Sequence, residues 1–166
     1  NSEWAYLECA TIIESTQNKV LLSECYTDLG DSLYHCDEYE KALSYYKKAL
    51  SIIISLGVVS SLSETYSRLA NCASVLGLEE EARDYLSQAL ELPIDDLIKA
   101  TLLESIALSY HRSGQNVLAA RHYEDALSIY ERMNFKRFWE DRIKDLVKIY
   151  LALGDENAVQ RTLNRK

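Results

Sequence analysis

The residues of this chain that could do chemistry fall into two sets, and only one is arranged to do any. The first comprises His35, His111 and His122 with Cys9, Cys25, Cys36 and Cys72. A metal or redox site needs such ligands at short spacing, as cysteines two residues apart or histidines one helical turn apart. Neither pattern occurs here, nor does a glycine-rich phosphate loop, a nucleophile elbow or a carboxylate pair in an apolar setting. The sequence assigns no catalytic residue, no metal and no cofactor, and reads as a non-enzyme. The second set is polar or charged apart from Leu108: Asp28, Asp31 and Tyr34; Glu64, Arg68 and Asn71; Glu104, Leu108, His111 and Arg112; Lys144 and Lys148. These residues flank apolar positions that recur every three or four residues. The chemistry they offer is recognition. Carboxylates can pair with basic groups, and the Asn71 amide can donate and accept hydrogen bonds along a partner's backbone.

Helices must position them. Leu22, Tyr26, Leu29, Leu33 and Cys36 stand at i, i+3/i+4 spacing, with Gly30 as a notch for close approach, which predicts one helix over 18–36. Tyr39, Ala42, Leu43, Tyr46, Ala49, Leu50 and Ile53 form a second stripe, which predicts its antiparallel partner over 38–56. Asp37 is expected to cap that partner, with Glu40 reaching back, and Gly57 to end it. The pattern Tyr26-x2-Leu29-Gly30-x2-Leu33, then Ala42-x3-Tyr46-x2-Ala49, returns three times. The second copy, forty residues on, reads Tyr66-x2-Leu69-Ala70 and Ala82-x3-Leu86-x2-Ala89 around Gly77. The third, after 37 more, reads Leu103-x2-Ile106-Ala107-x2-Tyr110 and Ala119-x3-Tyr123-x2-Ala126 around Gly114, with Pro93 ending the preceding helix and Asp95-Asp96 as a cap. The fourth reads Ile143-x2-Leu146-Val147-x2-Tyr150, then Gly154, a capping Asp155, and a short helix with Val159 and Leu163. Ahead of them, Ser2, Tyr6 and Cys9 repeat the spacing of Ala42, Tyr46 and Ala49, which predicts a lone helix over 2–15.

A helix pair recurring at this interval cannot bury its apolar surface alone and stacks on its neighbours, so the fold class is an all-α solenoid. The residues quoted above resemble the tetratricopeptide repeat (TPR) family, whose signature runs aromatic-x2-Leu-Gly-x2-Tyr and then Ala-x3-aromatic-x2-Ala. Leu86 and Leu163 replace the second aromatic, and Val147 and Val159 fill small positions. Leu29-Gly30-Asp31 and Leu69-Ala70-Asn71 are similar to the Leu-Gly-Asn run of Partner-of-Inscuteable-type scaffolds. The resemblance implies one right-handed superhelical domain over 1–166, with full pairs at 18–56, 59–92 and 95–132 and a partial pair at 136–166; because the sequence opens and stops inside helical patterns, a segment of a larger protein is expected.

The resemblance also implies a function. First helices line the concave face of such a stack, so the second set of residues becomes a partner-binding surface, acidic at one end and carrying Lys144 and Lys148 towards the other. An adaptor that holds a protein or peptide with basic residues is the first expectation. The alternatives are a self-association module joined through end helices near Trp4 and near Ala158, Val159 and Leu163, and a sensor of short peptides. A grip on a partner's terminal carboxylate is disfavoured, because Thr27 and Asp31 stand where the family's chaperone-tail clamps place Lys and Asn.

Composition narrows the setting. A net charge of −8 without a basic cluster argues against nucleic acid and anionic membrane, and no apolar run is long enough to span a bilayer. The cysteines fall on apolar stripes and are expected as core thiols in a reducing compartment, cytoplasmic or nuclear. Tyr6, Tyr26, Tyr39, Tyr46, Tyr66, Tyr110, Tyr123 and Tyr150 occupy core positions of the repeat, whereas Tyr34, Tyr45, Tyr85 and Tyr130 do not. Tyr34 is the aromatic expected to meet a partner.

Overall fold

The computed structural model describes Glu8, Thr11 and residues 18–134 and 136–165, and of 136–140 the backbone course only. Apart from Glu8 and Thr11, the lone helix expected over 2–15 lies outside the described residues. The chain runs through α1 (Lys19–His35), α2 (Tyr39–Leu56), α3 (Val59–Val75), α4 (Glu79–Leu90), α5 (Asp96–Arg112), α6 (Asn116–Arg132), α7 (Lys136–Leu153) and α8 (Glu156–Leu163). It divides at Pro93 into two compact units, the first holding α1–α4 and the second α5–α8. Within each unit, consecutive helices pack as neighbours.

The turns inside the pairs share one geometry. Asp37, Gly77, Gly114 and Gly154 all adopt left-handed backbone, with φ of 60°, 76°, 74° and 71°. Each time, the residue after it donates its N–H back to a carbonyl five residues earlier, as Glu38 to Leu33 (2.9 Å) and Leu78 to Ala73 (2.8 Å). This double-bonded ending satisfies carbonyls that a helix terminus otherwise leaves bare, and it favours glycine because a Cβ crowds the left-handed region. Asp37 therefore does not cap α2. It closes α1 in the place glycine holds in the other three pairs, and its carboxylate accepts the Tyr39 hydroxyl at 2.5 Å. The residue before α2 is Glu38, and no side chain caps that helix. Asp95 and Asp155 do cap, accepting the Ile98 N–H at 2.8 Å and the Ala158 N–H at 2.9 Å, and Asn18 accepts that of Leu21 at 3.2 Å.

The repeated apolar positions form the core. Leu29, Leu69 and Leu146 are fully buried, as are Ala42, Ala49, Ala89, Ala119 and Ala126, so the alanines let helices approach to backbone distance. In the first unit Tyr46 lies over Gly30, where an added Cβ would stand 2.5 Å from the ring. In the second unit Ala107, Ala119, Ala120, Tyr123, Leu127, Ile143, Leu146 and Ile149 make one cluster. Several expectations are corrected. Cys25 and Cys72 are buried, but Cys36 is exposed because it follows the last residue of α1 and leaves the helical stripe. Tyr130 is fully buried, whereas Tyr26, Tyr39, Tyr110 and Tyr150 are only partly so. On α8, Ala158 and Val159 are buried rather than presented, while Leu163 is 55% exposed. That helix packs on α7, and Thr162 takes the inward position next to Leu163.

His122 is the one imidazole with a ring nitrogen sheltered from any partner among the described residues: its Nδ1 is buried without a hydrogen bond, and its ring stacks on Tyr110 at 5.4 Å. Burial lowers its pKa, Arg121 pushes the same way, and Asp125 opposes both.

Two outcomes follow. Gly30→Ala would ordinarily strengthen a helix interior by about 1 kcal/mol, but Tyr46 is pinned by its hydroxyl and overpacking costs roughly 1–3 kcal/mol. We expect a net loss in chemical denaturation, and a gain in stability would show that the ring can yield. For His122 the unfolded state takes up a proton as pH falls below the ordinary value of 6.5, while the folded state resists it. Stability is thus fully present above that value and lost as pH falls toward the folded pKa. NMR titration should place His122 below 6.5, and His122→Phe should remove part of the loss between pH 7 and 5.

Candidate partner-binding surface

On the first helices of the first unit, the charges are largely spent on one another. Asp31 accepts Arg68 Nε at 2.9 Å and Nη2 at 3.3 Å, and it also accepts the Tyr46 hydroxyl at 2.5 Å. Arg68 in turn reaches Glu64 at 2.9 Å through Nη1. The guanidinium bridges α1 to α3, and both Asp31 oxygens are engaged. Any basic group from a partner would have to compete with Arg68 for them. Asp28 and Asn71, each one turn from this knot, are exposed, and Glu64 keeps 68% of its side chain in solvent. Tyr34 is half-buried. Its ring meets Tyr39 edge-on at 5.2 Å and His35 at 6.1 Å, so it braces the α1–α2 turn.

The second unit repeats the device in another register. Glu104 is buried, and it accepts Arg142 Nε at 2.7 Å and Nη2 at 3.4 Å across α5 and α7. It faces inward rather than toward a partner. His111 Nδ1 lies 2.7 Å from Asn116 Oδ1, across the α5–α6 turn. Leu108 and Arg112 are exposed. Lys144 and Lys148 extend into solvent from α7 and pair along the helix with Asp141 (3.0 Å) and Asp145 (2.7 Å). Such exposed one-turn pairs contribute a few tenths of a kcal/mol and leave the ammonium groups open to exchange.

Sequence spacing overlooked Arg142 and the Tyr46 hydroxyl. A usable signal existed: Asp31 and Arg68 are 37 residues apart and Glu104 and Arg142 are 38, close to one repeat, so acid and arginine fall on successive first helices. Second helices are tied in the same manner. Lys47 meets Glu81 at 2.9 Å, and Tyr85 donates to that carboxylate, so Lys47 first and Tyr85 second hold Glu81 below the usual carboxylate range. Arg165, two residues beyond α8, pairs with Glu124 of α6. Among the described residues no group of three or more metal-ligating side chains occurs, and no helix is long and apolar enough to cross a membrane.

The two cross-helix pairs differ in burial, and their removal should separate them. Arg142→Leu leaves Glu104 charged and buried, which we expect to cost roughly 2–3 kcal/mol in denaturant unfolding, with the double change Glu104→Leu/Arg142→Leu recovering most of it. Arg68→Leu, beside a carboxylate that water can reach, should cost about 1 kcal/mol or less. Equal costs would mean that burial does not set the strength of these pairs.

Comparison with known proteins agrees with this architecture. No curated protein matches the chain. Among solved structures, BtubC (BKLC) from P. vanneervenii superposes with a TM-score of 0.83 at 21% identity, over 96% of this chain and 68% of that one. The apo form of RapI gives 0.86 at 15% identity, over 96% of this chain and 45% of that one. MamA gives 0.73 at 19% identity, over 96% and 81%. The chain thus spans less than half the length of RapI, and at such identities the likeness is one of fold. The family description tetratricopeptide repeat matches residues 20–94 and 61–132, which together cover more than half of the sequence. With its helix pairs, its buried Ala-x6-Ala stripes and that match, the chain belongs to the tetratricopeptide repeat family.

Proposed function

We propose that this chain is a protein–protein interaction adaptor whose first helices hold an extended or helical segment of a partner, and that the segment brings basic residues to the first unit. One observation carries the reading: Arg68 of α3 is already shared between Asp31 and Glu64, and Asp28, one turn from Asp31 on α1, stands exposed with no cation against it among the described residues. The face keeps an unbalanced negative charge, with the Asn71 amide exposed beside it to hold a backbone. Asp31 serves the scaffold, so Asp28 and Glu64 are the anchors for a basic side chain. In the second unit, Leu108, Arg112, Lys144 and Lys148 are the exposed side chains open to a partner. Members of this family generally work as scaffolds rather than enzymes, and no catalytic role is proposed. A cytoplasmic setting, with the nucleus as alternative, belongs to the same reading.

Self-association is the second reading. The second unit exposes Val117 (70%), Leu151 (61%) and Leu163 (55%), apolar surface that a second copy could cover. Sedimentation across a concentration series distinguishes the two, since an adaptor stays monomeric without its partner.

The decisive comparison uses Asp28→Lys/Asn71→Ala, which spares the Asp31–Arg68–Tyr46 knot, beside the parent chain in a pull-down from lysate. Circular dichroism should first show equal helicity. A protein retained by the parent and captured at least about tenfold less by the variant supports the adaptor, that being the scale of one lost charge-assisted contact. Identical retention would overturn it.

A further inference from the structure

On the second helices of the second unit lies a cleft of about 290 Å³, bounded by Glu124 of α6, Tyr150 of α7, and Ala158, Arg161, Thr162 and Arg165 at the end of the chain. Its acceptors are used. Glu124 Oε1 takes the Tyr150 hydroxyl at 2.9 Å, and Oε2 takes Arg165 Nη2. Its donors are not. Arg165 Nη1 is buried without a hydrogen bond, 4.0 Å from Glu131. Arg161 is exposed and has no acceptor among the described residues, and the Thr162 hydroxyl makes no hydrogen bond among them either, although Thr162 is 98% withdrawn from solvent, at 2% exposure.

From this geometry we propose that the cleft is a carboxylate subsite, filled by an acidic side chain of a partner peptide and gripped by Arg161 with help from Arg165 and Thr162. A guanidinium offers a planar fork of N–H donors that fits the two oxygens of a carboxylate, which a point-charge cation does not. A buried donor left without a hydrogen bond is destabilising, and an incoming oxygen at hydrogen-bond distance relieves it. Glu124 does not block the site, because Arg165 and Tyr150 already hold its two oxygens. The volume admits one carboxylate-bearing side chain rather than a folded segment. This subsite is independent of the acidic face on α1 and α3, and it selects the opposite charge.

The test uses the whole chain, labelled with 15N, and three probes: acetyl-Gly-Glu-Gly-amide, its glutamine counterpart, and inorganic phosphate. The glutamate peptide should shift the Ala158 and Thr162 amide resonances in a saturable manner, and the glutamine peptide should not. Arg161→Gln removes an exposed side chain without a structural partner, so the fold should persist by circular dichroism while the apparent affinity falls about tenfold. Arg161→Lys, which keeps the charge but not the fork, should fall between. The proposal is overturned if both peptides act alike, if Arg161→Gln titrates like the parent, or if phosphate saturates the shifts and the glutamate peptide does not. Asp28→Lys/Asn71→Ala should leave this titration unchanged, so loss of the adaptor reading and loss of the subsite are separable results.

Discussion

The seating of a second-helix tyrosine on a small residue of the first helix is the contact on which the rest of each unit depends. Gly30 lets Tyr46 sink until its ring is 2% exposed, and Ala107 and Tyr123 fill the same places in the second unit at 0% and 2%. A ring buried to that depth brings a hydroxyl with it, and a buried hydroxyl requires a partner. Tyr46 finds Asp31 on its own first helix. Tyr123 lies where Asp145 of the following first helix and Glu104 act on its phenol. Burial first, and the neighbouring carboxylates after it, push both phenols up, so neither ionises near neutral pH. The Tyr46 phenol then acts as a fixed donor that orients the Asp31 carboxylate.

From that orientation comes the coupling of one pair to the next. Asp31, held by Tyr46, presents its oxygens to Arg68; the second unit places Leu108 at the position corresponding to Asp31 and moves the ion pair to Glu104 and Arg142. Both solutions span successive first helices. Second helices are joined separately, through Lys47 and Glu81 in one unit and Glu124 and Arg165 in the other. Apolar stacking alone would let neighbouring pairs slide, since hydrophobic burial has no direction, whereas a forked arginine on a fixed carboxylate sets a register. Much of the charge along this surface is therefore spent on holding repeats in place, and only what remains is available to a partner.

The division between what the sequence revealed and what it hid follows from the same physics. Apolar positions were legible because burial obeys helical period: Leu29, Leu69, Leu146 and the alanines of the first three pairs lie where spacing placed them. The fates of Asp31 and Glu104 were not, because their partners sit one repeat away and pairing depends on how two helices approach. Asp37 was misread for a different reason. Aspartate is a frequent cap and also one of the few non-glycine residues tolerated in left-handed backbone, and only comparison with Gly77, Gly114 and Gly154 in the same turn distinguishes the roles. Cys36 and Leu163 failed at helix ends, where a stripe continues in sequence after the surface it would pack on has ended.

Net charge, finally, constrains less than it suggests. A value of −8 describes the whole chain, but at physiological ionic strength a charge is screened within about 8 Å, so a ligand group responds to its immediate surroundings. A polyanion such as nucleic acid spans many such distances and meets the average, which is unfavourable. A single carboxylate meets only the cleft it enters, and beside Arg161 that cleft holds more unused donors than unused acceptors. The acidic face of α1 and α3 and the donor-rich cleft between α6 and α8 can therefore coexist in one acidic protein. Selection of a partner then rests on which side chains the cross-repeat pairs have left uncommitted, rather than on the sum of the charges.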